Sequence, residues 1–175
     1  MTRAAEPHKA RQRPGPGSRT AARLAAIQAL YQMRLTGEAA DTVIDDFLRH
    51  RLAYPGPDAE AASLDAADLA FFRDLVDGVA RESVALADML AAVLAEDWPV
   101  ERLEAVLRII LSAGAFELGH RPDVPARVVV SQYVDLAHAF LDDRQTAMAN
   151  GVLDRLARHM RPEAFAGEAL PDLTD

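Results

Sequence analysis

The residues with the most chemical potential in this sequence are arginines, and they gather at the front of the chain. Residues 1–34 hold Arg3, Lys9, Arg11, Arg13, Arg19, Arg23 and Arg34 against a single acid, Glu6, a local charge of +6. The remaining 141 residues sum to −14, which gives the chain its net −8. Eighteen of its 19 cations are arginine, whose planar fork grips phosphate and stacks on rings where lysine offers a point charge. At 100° per residue, Arg19 falls about 40° to one side of Arg23 on a helix, and Arg34 about 20° to the other. Tyr31 lies about 80° round, beside that edge. Arginines for phosphate next to an aromatic for a base are what single-stranded RNA binding requires. The bland reading stands beside it. Leu24, Ile27, Leu30 and Leu35 share the arc of Tyr31, so the ring could be core with its hydroxyl at the rim. A weaker stripe of the same kind, Arg144, Arg155 and Arg158 with Met148 alongside, lies near the other end of the chain.

Other chemistry is scarce. There is no cysteine, which excludes a disulfide scaffold, a thiolate metal site and a thiol nucleophile. No glycine-rich phosphate loop, nucleophile elbow or zincin histidine pair occurs. Asp135, His138 and Asp142 share one helix face and could in principle hold a divalent ion, but a solvated polar stripe is the simpler reading. Adjacent acids such as Asp45-Asp46 and Asp142-Asp143 splay apart on a helix, which suits caps better than acid–base catalysis. The sequence therefore predicts no enzyme, no cofactor and no metal. No apolar run approaches the ~18–20 residues of a membrane helix, and the N-terminus lacks the apolar stretch of a signal peptide. A cytoplasmic protein is expected.

The elements that must position these residues read as all-α. Alanine and leucine supply 56 of the 175 residues. Residues 1–18, which include Pro14-Gly15-Pro16-Gly17, read as a disordered basic arm. Ser18 or Thr20 can cap a first helix to about Leu35, with Gly37 as its stop. A second helix follows Asp41 and dies at Pro55-Gly56-Pro57. A long helix from about Asp65 to Ala95 is predicted, either unbroken or broken near Gly78. The segment from Leu103 to Gly119 is apolar nearly all round and reads as the central helix of a core. Asp123-Val124-Pro125 starts a helix with Val129, Tyr133, Leu136 and Phe140 inward, and a last helix runs from about Arg144 to Met160. The expectation is two small helical bundles of six to seven helices, with subdomains at about 19–82 and 83–160 and a frayed tail over 161–175.

Three stretches carry a resemblance. They are Arg19-Thr-Ala-Ala-Arg-Leu-Ala-Ala-Ile-Gln-Ala-Leu-Tyr31-Gln, Phe71-Phe-Arg-Asp-Leu-Val-Asp-Gly-Val79 and Asn150-Gly-Val-Leu-Asp-Arg-Leu-Ala157. Between the last two stand Phe116-Glu-Leu118, Asp123-Val-Pro125 and Tyr133-Val-Asp-Leu-Ala-His-Ala-Phe140. In this order they resemble the transcription antitermination protein NusB family, over about residues 18–160. The resemblance implies a non-catalytic, all-α protein. It would bind the boxA element of nascent ribosomal RNA leader transcripts together with the small-subunit ribosomal protein NusE, and reach the RNA polymerase elongation complex through other Nus factors. It implies RNA contact by the Arg-rich front and the Gln-Ala-Leu-Tyr tyrosine, and by the start of the last helix. The expected RNA-binding residues are Arg11, Arg13, Arg19, Arg23, Tyr31, Arg144 and Met148. The chain departs from the family where Met148 replaces a phenylalanine, where Arg144 replaces an acidic or small polar residue, and at Ser112, Ser131 and Gln132. Those departures leave open a second reading, a divergent protein–protein interaction module with weak or no RNA binding. Leu/Phe-rich helices would also permit a homodimer.

Overall fold

A computed structural model describes residues 16–50, 68–94 and 100–166. Seven α-helices are found among these residues, and no strand. The first, α1 (Pro16–Thr36), is alanine-rich, so Ala22, Ala25, Ala26 and Ala29 let neighbouring helices approach closely. It stops at Gly37, whose φ of 73° suits the left-handed turn that ends a helix, with its N–H donated to the Met33 carbonyl. The helix already includes Pro16–Ser18, and Ser18 is buried, so the predicted disordered arm is shorter at this end than 18 residues. Arg11 and Arg13 lie outside the described residues, as does the Pro55-Gly56-Pro57 stop.

Helix α2 (Ala40–His50) buries Val43, Ile44 and Phe47, and Phe47 stacks on Phe72 with ring centroids 5.8 Å apart. The predicted long helix is two, α3 (Leu69–Arg81) and α4 (Ser83–Val93). Asp68 caps α3 by accepting from the Phe71 N–H at 3.0 Å. The break falls at Glu82 rather than Gly78. Gly78 has another purpose: a β-carbon there would lie 2.0–2.8 Å from the Phe116 ring, so its missing side chain is what lets α3 rest on the next helix.

That helix, α5 (Ala105–His120), is central, as its all-round apolar surface predicts. Leu107, Ile109–Leu111 and Ala113–Leu118 are all buried. It packs against α1, α3 and α4, and against α6 (Ala126–Phe140) and α7 (Asp143–Met160). Val128-Val129-Val130 is helical, as the 3.6 periodicity required. Phe140 departs from expectation: it is 46% exposed, because the last turn of α6 runs past the edge of the core. Helix α7 opens with a capping box formed by Asp142 and Gln145. Leu153 abuts Gly114 and Met160 abuts Gly119, so α7 and α5 run parallel.

The tail is not wholly frayed. Pro162–Phe165 form a 3-10 turn that buries Phe165, and the Arg127 and Arg158 guanidinium groups lie 4.9 and 4.7 Å from its ring centroid. Just before it, Arg161 donates to the carbonyls of Glu117, Leu118, Arg121 and Val124. These include carbonyls in the last turn of α5, so one side chain ties its end to the start of α6.

Candidate nucleic-acid interface

The arginine edge expected on α1 divides into three environments. Arg23 points inward and is 3% exposed. Its Nε donates to Glu117 Oε2 at 2.9 Å and its Nη2 to Glu117 Oε1 at 2.5 Å, a two-pronged ion pair with a carboxylate that is itself fully buried. Nη1 donates to Gln132 Oε1 at 3.3 Å, and that oxygen also accepts from the Thr20 hydroxyl. Burial pulls the Arg23 guanidinium down, but the hydrogen bond and charge of Glu117 outweigh it and hold the group above its ordinary value. The neighbouring Tyr133 phenol is completely buried without a hydrogen-bond partner, and burial first, then the Glu117 charge, pushes it well up. Arg23 is thus withdrawn from solvent. Where the sequence predicts a phosphate ligand, the structure places a buried cation that ties α1 to α5 and α6. A signal for this exists in the sequence, since Glu117 is the sole charge within the apolar run Ile109–Leu118 and needs a buried cation.

Arg19, one turn earlier, is a third exposed. Its Nη2 lies 3.0 Å from Asp123 Oδ2 and its Nε 3.8 Å from Asp68 Oδ2. Asp123 is shared with Arg121, which approaches Oδ1 at 3.0 Å and also holds Asp74 at 2.8 Å. The hydrogen bond from Arg121, aided by Arg19, lowers the Asp123 carboxyl to about 2. Beneath this cluster lies the buried ring of Phe71, with the Arg19, Arg23 and Arg121 guanidinium carbons 5.2, 5.1 and 4.9 Å from its centroid. Spacing along the sequence gave no sign of this assembly, because Phe71, Arg19 and Asp123 come from three separate segments.

Tyr31 is 37% exposed and Arg34 is exposed, about three turns further along α1. Tyr31 is therefore at the surface rather than in the core, whereas Ile27 and Leu30 are inside. Arg34 and Met33 line a cleft of about 680 Å³ with Val84 of α4 and Arg108 of α5. On α7, Arg144 is exposed, while Met148 is half-buried and packs against the core. The parallel course of α5 and α7 places their first turns at one end of the bundle, the end where Arg34 meets Arg108. Arg19 stands at the other end, about 18 Å from Tyr31 along α1. Two separated groups of cations result, not one edge.

Asp135, His138 and Asp142 are exposed, and no cluster of three metal-ligating side chains occurs among the described residues. No described helix is long and apolar enough to cross a membrane.

Comparison with known proteins agrees with the architecture. The NusB family matches residues 20–158. The transcription antitermination protein NusB of Nitrobacter hamburgensis is 48% identical over 148 residues, 85% of this chain and 91% of the relative. That of Bradyrhizobium diazoefficiens is 48% identical over 147 residues, 84% and 87% of the two chains. Among solved structures, NusB of T. maritima superimposes with a TM-score of 0.65 at 24% identity, covering 87% of this chain and 99% of that one. A structure of the antitermination factors NusB and NusE in complex with dsRNA gives 0.64 at 23% identity, covering 83% and 99%. The chain belongs to the NusB family of transcription antitermination proteins.

Proposed function

We propose that this protein binds the boxA element of nascent ribosomal RNA leader transcripts together with the ribosomal protein NusE, as a cytoplasmic adaptor that connects RNA to the polymerase elongation complex through other Nus factors. The observation that carries this reading is the 48% identity to curated antitermination proteins across 85% of the chain. A neighbour of the same fold was solved with NusE and dsRNA, which supports the same assembly. Arg11, Arg13 and Arg19 supply phosphate contacts at one end of α1, and Tyr31 offers an exposed ring for a base. Arg144 contributes a further cation on α7. Met148 replaces a stacking aromatic with a polarizable thioether, so that contact is weaker than its aromatic counterpart. Arg23 acts indirectly, by holding α1 in place through Glu117. The −14 charge beyond residue 34 suits a basic ribosomal protein, and complementarity of this kind chiefly speeds and orients association.

The test is fluorescence anisotropy of a labelled boxA leader RNA, titrated with the protein alone and with equimolar NusE across a salt series. Tighter binding with NusE and a steep loss of affinity with salt are expected. Equal affinity with and without NusE removes the shared-RNA element of the proposal. No RNA binding at low salt, with NusE binding retained, establishes the protein-only module instead.

A further inference from the structure

We infer that Arg19 and Arg121 form a two-guanidinium seat for an RNA phosphodiester, and that Asp123 is its resident counter-anion, which the phosphate displaces. The inference rests on the RNA-binding reading above and adds to it a ligand, Arg121, and an internal competitor. Three observations carry it. Asp123 bridges the two arginines: Arg121 holds both its oxygens, Nε donating to Oδ1 at 3.0 Å and Nη2 to Oδ2 at 3.2 Å, and Arg19 Nη2 reaches Oδ2 at 3.0 Å, as two guanidinium forks would share one phosphate. Both arginines lie about 5 Å from the centroid of the buried Phe71 ring, which limits their freedom and leaves less entropy to lose when an anion binds. The bridge is also a surface one. Asp123 is 47% exposed and Arg19 34%, so the Arg19 arm is of the kind that exchanges readily, while the two-pronged Arg121 pair is the firmer part of the bridge.

The surrounding charge explains why a competitor matters. With Arg23 committed to Glu117, Arg19 and Arg121 face Asp68, Asp74 and Asp123, a local surplus of one negative charge. A stray small anion gains nothing there. An RNA strand is different, because it brings many phosphates at once, and residues 1–15, which precede α1 in sequence, carry four cations against one acid. The seat thereby favours a continuous strand over isolated anions. Asp68 also caps α3 through the Phe71 N–H, so it is the fixed wall of the seat, and Asp123 is the group that yields.

The test compares wild type, Asp123→Asn and Asp74→Asn in anisotropy titrations with boxA RNA over a salt series, with thermal melts to confirm folding. Asp123→Asn frees Arg19 and is expected to bind about two- to fivefold tighter at low salt. Its log–log salt slope should stay near the wild-type value, because the phosphate fills the same seat in both proteins and only the competitor is gone. Asp74→Asn, which loosens Arg121 from the other side and caps no helix, should shift affinity in the same direction. Adding Arg19→Gln to Asp123→Asn should abolish the gain. If wild type binds RNA and both folded single variants match it in affinity, the seat is overturned while the RNA reading stands. Pyrophosphate, followed by the Arg Nε–H resonances, separates the remaining case. Should neither protein bind RNA, pyrophosphate shifts of Arg19 and Arg121 in Asp123→Asn alone support the seat, and their absence overturns it along with the parent reading.

Discussion

Replacing Glu117 with glutamine tests whether Arg23 is structural. The side chain keeps its shape but loses its charge, so the Arg23 guanidinium, 3% exposed, stays in the core without a counter-ion. Removing one partner of a buried, two-pronged pair costs about 3–5 kcal/mol, because the orphaned charge has lost its hydration and gained nothing in return. In a chain of this length each kcal/mol is about 2–4 °C, so the melting temperature should fall by about 6–20 °C. Arg23→Ala, which strands the carboxylate instead, should fall in the same range. The double replacement Arg23→Met/Glu117→Leu removes both charges and fills the space, and should recover most or all of the loss. Thr20 still satisfies Gln132 there, at 2.6 Å. Urea denaturation of the four proteins gives each stability change. The reasoning is refuted if Arg23→Ala costs under about 1 kcal/mol while RNA affinity collapses, since that result would place Arg23 on the RNA and not in the core.

Three further outcomes follow from the same coordinates. Gly78→Ala puts a methyl group inside contact distance of the Phe116 ring, itself stacked on His120, and should cost about 1–3 kcal/mol in denaturation; an unchanged midpoint would mean that α3 and α5 are not in close contact. Tyr133 is raised by burial, so its stabilising contribution is present below pH 10 and lost as pH rises further. A phenolate absorbance titration should then show one of the three tyrosines silent until the protein unfolds; three ordinary transitions near pH 10 would contradict it. Asp123 is lowered from 3.8 to about 2, so its contribution is present above pH 4 and lost as pH falls toward 2. In Asp123→Asn that part of the acid transition should vanish, and persistence of the full wild-type acid profile would show that the Arg121 pair does not stabilise the fold.

The helices were legible because local signals agreed with one another. Gly37 after a periodic apolar run and the cap-forming Asp142-Asp143 pair mark ends that the structure shows, whereas the start predicted near Asp65 lies ahead of the cap at Asp68. The all-round apolar character of α5 announced its central place before any contact was known. What misled was anything decided between segments. A glycine within a helical pattern signals either a break or a close approach, and only the Phe116 ring, distant in sequence, shows that Gly78 is the second. Angular arithmetic puts Arg19, Arg23 and Arg34 on one helix edge, but it cannot say which of them meets a buried acid 94 residues away. Phe140 followed the inward periodicity of α6, yet the helix outlasts the core that rewards that periodicity. Phe165 had no periodic pattern to place it and is buried through two arginines instead. Of the residues expected to meet RNA, Tyr31, Arg19 and Arg144 lie at the surface.

The most direct measurement is the affinity of the purified protein for a boxA leader RNA with and without NusE, from low to physiological salt. Binding that tightens in the presence of NusE is expected, with a log–log salt slope of about −0.7 per phosphate contact and a loss of about 1–3 kcal/mol in Tyr31→Ala at unchanged stability. Salt-insensitive or absent RNA binding, unaffected by NusE, would contradict it.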